Sequence, residues 1–311
     1  MWTVLSRLVG SVAVLAVVSV VLFVLTHTIP VSPARVVLGI DATEEQVAEF
    51  DRDNHLDRPL TEQYARWIGG ALKGDFGSSL IDGTTISAEI ARTLPVTLEL
   101  VTFAFLIALA LGVPLGVVSA YHEHRAIDHA ARVLAVVGVS IPGFWLGLML
   151  IAYGAVALRW FPPGGYVPWR DGVLPHLRAL VLPALALGIY YVAIISRMTR
   201  SSVSDVLAQD HVRVAKAMGL GRGRILLYVL KNAMAPVLTV AAMSYGYMFG
   251  WALVIEHVFN IAGMSRALLN AIFRRDYLVV QTVVLIITAI FLLANLAADL
   301  LYRWLNPRLR T

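Results

Sequence analysis

Few residues in this chain could carry out chemistry, and none of them stands in a catalytic spacing. A phosphate-binding P-loop needs Gly-Lys followed by Ser or Thr, but Lys73, Lys216 and Lys231 are followed by Gly, Ala and Asn. The triplet His122-Glu123-His124 would need a second histidine in place of Ala126 to bind zinc as H-E-x-x-H. Cysteine is absent. We therefore predict no catalytic residue, no metal site and no cofactor bound by this chain, and we interpret the histidines as part of a solvated loop.

A second group consists of polar residues within or near the ends of apolar runs: Glu99, Tyr190, Glu256 and Asn295. Such residues are candidates for lining or gating a pathway through a membrane. Each also has a plainer interpretation, because the two carboxylates could reach the interface and pair with arginine, and the tyrosine and asparagine could pack between helices. No charge pair of the kind that drives ion-coupled transport stands out in the middle of a run.

The interval 196–235 is basic and largely polar, and it lies between two apolar runs. Ser202 followed by Asp205 three residues later predicts a helix start there, and Gly219 predicts its end. A second helical pattern runs from about Arg222 to Pro236. The first helix separates into a polar stripe (Asp205, Gln209, Arg213, Lys216) and an apolar face (Leu207, Val214, Ala215, Met218). This face is narrow and partly small, which favours docking on a partner protein over lying on lipid.

The composition places these elements in a membrane. Of 311 residues, 59% are hydrophobic and 14% are charged, whereas a soluble domain has roughly 25% charged residues. Apolar runs of about 20 or more residues, long enough to span a bilayer as helices, cover 8–29, 95–121, 132–160, 177–195, 236–255 and 277–304. These runs predict six transmembrane helices, with kinks near Pro114, Pro142 and Pro183. The net charge of +5 is explained by cytosolic loops, without nucleic acid.

Lys and Arg residues orient the chain. If the N-terminus is cytosolic, the inner segments carry about twice as many Lys and Arg residues as the short outer loops. The predicted organisation is N-in and C-in: an N-terminal segment and first helix (1–29), an extracytoplasmic lobe (30–94), a five-helix core (95–304) with the loop 196–235 between helices four and five, and a cytosolic tail (305–311). Within the lobe, Thr43 to Phe50 and Leu60 to Leu72 predict two short helices.

Motifs along nearly the whole chain carry a family resemblance. They are R-P-L-T-E-Q-Y (58–64), G-D-F-G-S-S (74–79), T-L-P-V-T-L-E-L (93–100), S-I-P-G-F-W-L-G (140–147), L-P-A-L-A-L-G (182–188), Q-D-H-V-R-V-A-K-A-M-G-L (209–220), K-N-A-M-A-P-V (231–237), V-I-E-H-V-F (254–259), R-D-Y-L-V-V-Q (275–281) and N-L-A-A-D-L-L-Y (295–302). With these motifs in this order, the chain resembles the permease subunit of the dipeptide/oligopeptide/nickel class of ABC importers.

The resemblance implies a function and partners. The family's cytosolic signature E-A-A-x-x-x-G falls on Arg213, Val214, Ala215 and Gly219, so arginine and valine replace the glutamate and the first alanine. By resemblance, this helix docks in a groove of an ATPase subunit through Asp210, Arg213, Ala215, Ala217 and Gly219. The implied partners are a homologous second permease, two P-loop ATPase subunits that bind ATP and Mg, an extracytoplasmic substrate-binding protein, the peptide substrate and membrane lipid.

Two alternatives stay open at this point. The same scaffold could carry chelated nickel or another small solute instead of oligopeptides or dipeptides, although few histidines or acidic residues are available to line a path for a bare metal ion. An ion-coupled secondary transporter belongs to a different class and would need an ionisable pair within a span. Because the chain has no P-loop, an ABC importer that contains it must be powered by another subunit.

Overall fold

The computed structural model of the chain describes residues 2–28 and 32–305. Within them the chain is built of helices and forms no β-strand, only one isolated bridge between Ser78 and Thr85. The predicted all-α class is therefore confirmed. Position 29, at the end of the predicted first span, and residues 306–311 of the predicted tail lie outside the described residues.

The helices follow in order along the chain. They are α1 (Trp2–His27), α2 (Pro33–Leu38), α3 (Glu44–Asp53), α4 (Leu60–Ala71), α5 (Ile86–Tyr121), α6 (Ala126–Ser140), α7 (Gly143–Leu150) continued by a π-helical segment (Ile151–Ala157), a 3-10 turn (Trp169–Asp171), α8 (Val173–Leu207), α9 (Asp210–Ala217), α10 (Arg222–Val258), α11 (Met264–Arg274) and α12 (Tyr277–Leu305). The short helices predicted after Thr43 and Leu60 are confirmed as α3 and α4. Thr43 caps α3 in a capping box, since it exchanges hydrogen bonds with Gln46.

Five helices, α1, α5, α8, α10 and α12, are long and apolar enough to cross a membrane. A sixth candidate consists of α6 and the α7 segment, which is α7 together with its π-helical continuation (Gly143–Ala157). The two are bent by 99° where they meet. The structure divides the predicted span 132–160 into two helical segments at Pro142, where a kink was expected. The physical reason is that Pro142 has no amide hydrogen and forces the preceding Ile141 out of the helical region, to φ −80° and ψ 123°.

The chain forms two compact units, and the first comprises residues 1–96 and 262–290. In this unit α4 lies against α1: Trp67 packs with Phe23, and the Tyr64 hydroxyl is 2.7 Å from Ser19 Oγ. Ser19 lies two helical turns inside α1. The described part of the predicted lobe is therefore anchored on the apolar first helix rather than standing clear of it.

The second unit comprises residues 97–261 and those from 291 onward, and α8 is its central helix. In the apolar stretch of α8, 72% of residues are buried, against 28% in α5 and α10. Glycines permit its close packing with α5: a Cβ at Gly116 would lie 2.5 Å from the Ser196 carbonyl oxygen, and one at Gly188 would lie 2.9 Å from that of Ala104. Small residues allow such backbone approach between membrane helices.

Candidate functional site

The short helix α9 has one buried side chain, that of Val212. Val212 is fully buried in an apolar cluster with Val203 and Val206 of α8, Ala120 of α5, and Ile225, Val229 and Ala233 of α10. Burying a valine stabilises a structure by about 1.5–3 kcal/mol. Val212 thus connects α9 to α5, α8 and α10.

The sequence-based start of this helix was wrong. α8 continues without a break to Leu207, so Ser202 is a buried residue of its interior and not an N-cap. α9 begins later, after Gln209, whose side chain makes no capping hydrogen bond. The apolar pairing of α8 with Ala120 and with α10 overrides the local Ser202 signal, because tertiary packing contributes more to helix stability than one cap does.

Gly219 ends the helix as predicted, in a Schellman motif. Its φ is +78°, and its amide donates to the Lys216 carbonyl at 3.0 Å, while the Leu220 amide donates to Ala215 at 3.2 Å. A Cβ built on Gly219 would meet nothing within 4 Å. The need for glycine here is therefore conformational and not steric.

The outward surface of α9 differs from the predicted one. Val214 and Met218, expected on the packed face, have 55% and 74% of their surface exposed. The reason is that the neighbours of α9 form a seat for Val212, which turns the opposite side outward. Asp210 and Arg213 lie on the exposed surface, 3.3 Å apart as an ion pair, with Ala217 and Gly219 also exposed and Ala215 half-buried. The helix presents a mixed charged and apolar surface that nothing else in this chain covers within the described residues.

Two valines of α9 give a direct test of this seat. We expect Val212→Ser to weaken the packing of α9 on α5, α8 and α10 by about 2–3 kcal/mol, because it removes buried methyl groups and buries a hydroxyl. Val214→Ser should change that free energy by less than about 0.5 kcal/mol, because Val214 is exposed. Hydrogen exchange of the α9 amides in the full-length protein measures both effects. Equal protection of α9 in the two variants would contradict the seat.

A buried ion pair lies behind α9. The fully buried Asp128 of α6 accepts hydrogen bonds at 2.6 Å and 3.0 Å from Arg200 of α8, and at 2.7 Å from the Ser119 hydroxyl of α5. Its second oxygen also accepts the His124 amide at 3.1 Å and lies 3.2 Å from Arg132. One carboxylate thus joins α5, α6 and α8. Its partner Arg200 lies two helical turns before the end of α8, after which α9 begins.

Sequence reasoning missed this pair. From the sequence, Arg200 counts only as one of the positive charges that orient the chain, and Asp128 has no predicted role. A usable signal existed, because Asp128 is the one acidic residue of an otherwise apolar and weakly basic helix, and an ionisable residue near a span needs a partner. Which arginine serves as that partner depends on the packing of α6 on α8.

Glu99 lies in a cluster of aromatic side chains. It accepts hydrogen bonds from the Tyr166 hydroxyl at 2.7 Å and from the Trp169 indole at 2.9 Å, and His176 Nε2 lies 3.7 Å away. Trp169 stacks on His176 with ring centroids 3.7 Å apart. Burial, with the neighbouring Glu99 carboxylate, raises the pKa of Tyr166 to about 12. The interpretation of Glu99 as an arginine partner was wrong, because the connection between the α7 segment and α8 supplies aromatic donors instead.

Glu256 of α10 is fully buried, and its carboxylate accepts a hydrogen bond of 2.5 Å from the Thr97 hydroxyl of α5. It is therefore part of the packing between these two helices in this conformation and touches no open surface of the chain. The remaining two candidates are more accessible: Tyr190 is 38% exposed and lies edge-on to Tyr191, and Asn295 of α12 is half-buried. The four pathway candidates thus do not form one cluster, whereas the five docking candidates all lie on or directly after α9.

The chain matches known proteins over nearly its full length. Residues 112–311 match the family described as binding-protein-dependent transport system inner membrane component, and residues 1–101 match the N-terminal family of such membrane components. A probable peptide ABC transporter permease protein, y4tP, of Sinorhizobium fredii is 36% identical over 99% of this chain and 98% of its own length. The glutathione transport system permease protein GsiC of Salmonella paratyphi A is also 36% identical, with the same coverage.

A solved structure shares the fold. It is an inward-facing conformation of the MetNI methionine ABC transporter, with a TM-score of 0.56 and 18% identity, and the match covers 70% of this chain and 96% of that one. Together with the five long apolar helices, the family match makes this chain a multi-pass protein of the plasma membrane. It belongs to the family of inner membrane components of binding-protein-dependent transport systems.

Proposed function

We propose that this chain is the membrane-spanning permease subunit of an ATP-driven importer of peptides. The observation that carries the proposal is α9: an eight-residue helix seated on one valine, closed by a Schellman motif, with its charged and apolar surface turned outward. Such an element suits docking on a moving partner. The names of relatives at 35–36% identity over nearly the whole chain, peptide permeases and a glutathione permease, support the cargo class.

The proposed arrangement has six spans, with the bent pair of α6 and the α7 segment counted as one, and with both termini in the cytosol. The distribution of Lys and Arg supports this orientation. It places α9 on the cytosolic side and the lobe that contains α3 and α4 on the outer side. A homologous second permease completes the path, an extracytoplasmic binding protein delivers the substrate, and two P-loop ATPase subunits bind ATP and Mg.

In the proposed mechanism α9 transmits the motion of an ATPase subunit. Asp210, Arg213, Ala217 and the exposed Val214 contact that subunit, and Gly219 sets the direction in which the chain leaves the helix. Displacement of α9 acts on α5, α8 and α10 through Val212, and the Arg200–Asp128 pair couples α8 to α6. ATP stabilises the state that binds it more tightly, and hydrolysis with release of the products removes that stabilisation, so the other state is restored.

The cargo assignment also has a physical basis. Peptides vary in sequence, so a shared path cannot provide a fixed charged partner for each of them, and specificity is better placed in the binding protein. Glu99 and Glu256 are engaged by Tyr166, Trp169 and Thr97 within the chain. Tyr190 and Asn295 are then the better candidates for weak contact with passing substrate, and the two carboxylates for gating.

Uptake of labelled dipeptides and oligopeptides tests the proposal. A strain that lacks this chain should lose uptake and regain it on complementation, and a partner ATPase with its P-loop lysine replaced should abolish uptake even when this chain is intact. Labelled glutathione and a nickel chelate serve as competing cargoes. Peptide uptake that persists in the deletion strain, or that stops with a protonophore while ATP is preserved, would contradict the proposal.

A further inference from the structure

The first unit contains a cavity of about 410 Å³ to which the proposed mechanism assigns no role. Thr26 and His27 at the end of α1, Tyr277 and Gln281 at the start of α12, and residues of the lobe line it. The apolar stretch of α1 ends at His27 and that of α12 begins at Tyr277. The cavity therefore lies at the level where the membrane meets water, and its volume falls in the usual range for small-molecule sites, about 300–1,000 Å³.

An apolar groove adjoins this cavity. Its volume is about 250 Å³, it is lined by Val20, Val24, Leu60 and Tyr64, and it shares Phe23 and His27 with the cavity. Val20 and Val24 are 45% and 50% exposed on α1, within the apolar stretch of that helix. The groove thus opens where acyl chains lie, and the cavity opens where headgroups lie.

Four basic side chains line the cavity, among apolar and uncharged polar residues. Arg66, Arg275, His27 and His55 line it, with Asp276 as the one carboxylate. Asp276 is already engaged, because it accepts hydrogen bonds from the Ser79 hydroxyl and the Val279 amide, and burial raises its pKa. Arg66 has only a solvent-exposed partner, Glu62 at 3.8 Å, and such pairs contribute little. Among the described residues Arg275 forms no ion pair.

Two of these basic residues are held in a backbone conformation that ordinary side chains avoid. His55 has φ +58° and Arg275 has φ +60°. The left-handed region costs a residue with a Cβ about 1–2 kcal/mol, and glycine would avoid that cost. Both residues line the same cavity, so the strained positions are also positions where a basic side chain lines it.

We infer that the cavity and the groove bind one anionic phospholipid, its phosphate at Arg66 and Arg275 and an acyl chain along Val20 and Val24. Arginine suits phosphate because its planar guanidinium donates two parallel hydrogen bonds, and basic pockets beside membrane helices recognise lipid headgroups. The bound lipid joins α1, α4 and α12 and so fixes the lobe to the first helix. The proposed orientation of the chain makes the outer leaflet the source of this lipid.

The test measures lipid binding to the full-length protein by native mass spectrometry, with phosphatidylglycerol and phosphatidylcholine of equal chain length as probes. We expect preferential binding of one phosphatidylglycerol, weakened about tenfold in the double variant Arg66→Gln/Arg275→Gly. Glycine relieves the left-handed strain at 275, so the thermal stability of the lipid-free protein should not fall at that position. Arg58→Gln, on the same lobe but outside the cavity, is the matched control and should leave affinity unchanged.

A second pair of variants tests the groove without altering charge. Val24→Phe should fill the groove and weaken phosphatidylglycerol binding, whereas Leu25→Phe, on the exposed side of α1 outside the groove, should not. Equal affinity for the two lipids, or equal loss in Arg58→Gln, would overturn the inference. So would glycerol phosphate that binds as tightly as the whole lipid, since that result would indicate a soluble-anion site. Peptide uptake plays no part in these readouts, so the proposed function can fail independently.

Discussion

Replacing Gly219 by proline is expected to reduce ATP-driven peptide uptake about tenfold or more, while the protein still inserts in the membrane. Proline fixes φ near −65°, whereas Gly219 has φ +78°, and it removes the amide that donates to Lys216. Both hydrogen bonds of the Schellman motif depend on this conformation. The end of α9 should fray and Leu220 should leave along a different direction, so the motion of the ATPase is no longer transmitted.

A series at the same position separates conformation from bulk. Asparagine tolerates the left-handed region, so Gly219→Asn should transport nearly as well as the wild type. Gly219→Ala should lie between the two, at a cost of about 1 kcal/mol, because its Cβ meets no atom within 4 Å and only the backbone strain remains. Uptake is measured in whole cells, with membrane content of the subunit as the control. Wild-type uptake by the proline variant would show that α9 does not couple the two subunits.

Removing the Asp128 carboxylate is expected to destabilise the protein by about 2–3 kcal/mol, because Arg200 and the Ser119 hydroxyl lose their buried charged acceptor while Arg200 keeps only Glu123. Asp128→Ala should therefore lower the midpoint of thermal unfolding in detergent strongly. Arg132, an exposed neighbour of the same carboxylate, provides the matched control. Arg132→Ala should cost no more than about 1 kcal/mol, the usual value for a surface ion pair.

A double-mutant cycle distinguishes the pair from its separate members. Asp128→Leu combined with Arg200→Met should be more stable than either single variant, because no uncompensated charge remains buried. The double variant should nevertheless transport poorly if the pair couples α8 to α6. Additive effects of the two substitutions would refute the ion pair as an energetic unit, and normal transport by the double variant would limit its role to stability.

Part of α9 was evident from local chemistry. Gly219 was predicted as the end of a helix, because a left-handed residue that closes a helix is usually glycine, and this preference acts within a few residues of chain. The prediction of a capped helix after Thr43 was also correct, because capping likewise depends on residues close together in the chain. Ser202 failed as a helix start because its local signal competes with the packing of α8, which no short pattern reveals.

The same division applies to the whole molecule. The sequence by itself determined that this chain is an all-helical membrane protein with a short helix closed by Gly219, because apolar run length and turn chemistry are local properties of the chain. Only the tertiary structure decided that Val212 rather than Val214 and Met218 faces inward, that Asp128 pairs with Arg200, and that Glu99 bonds to aromatic donors. Each of these depends on side chains from segments far apart in sequence, whose contacts arise only when the chain packs.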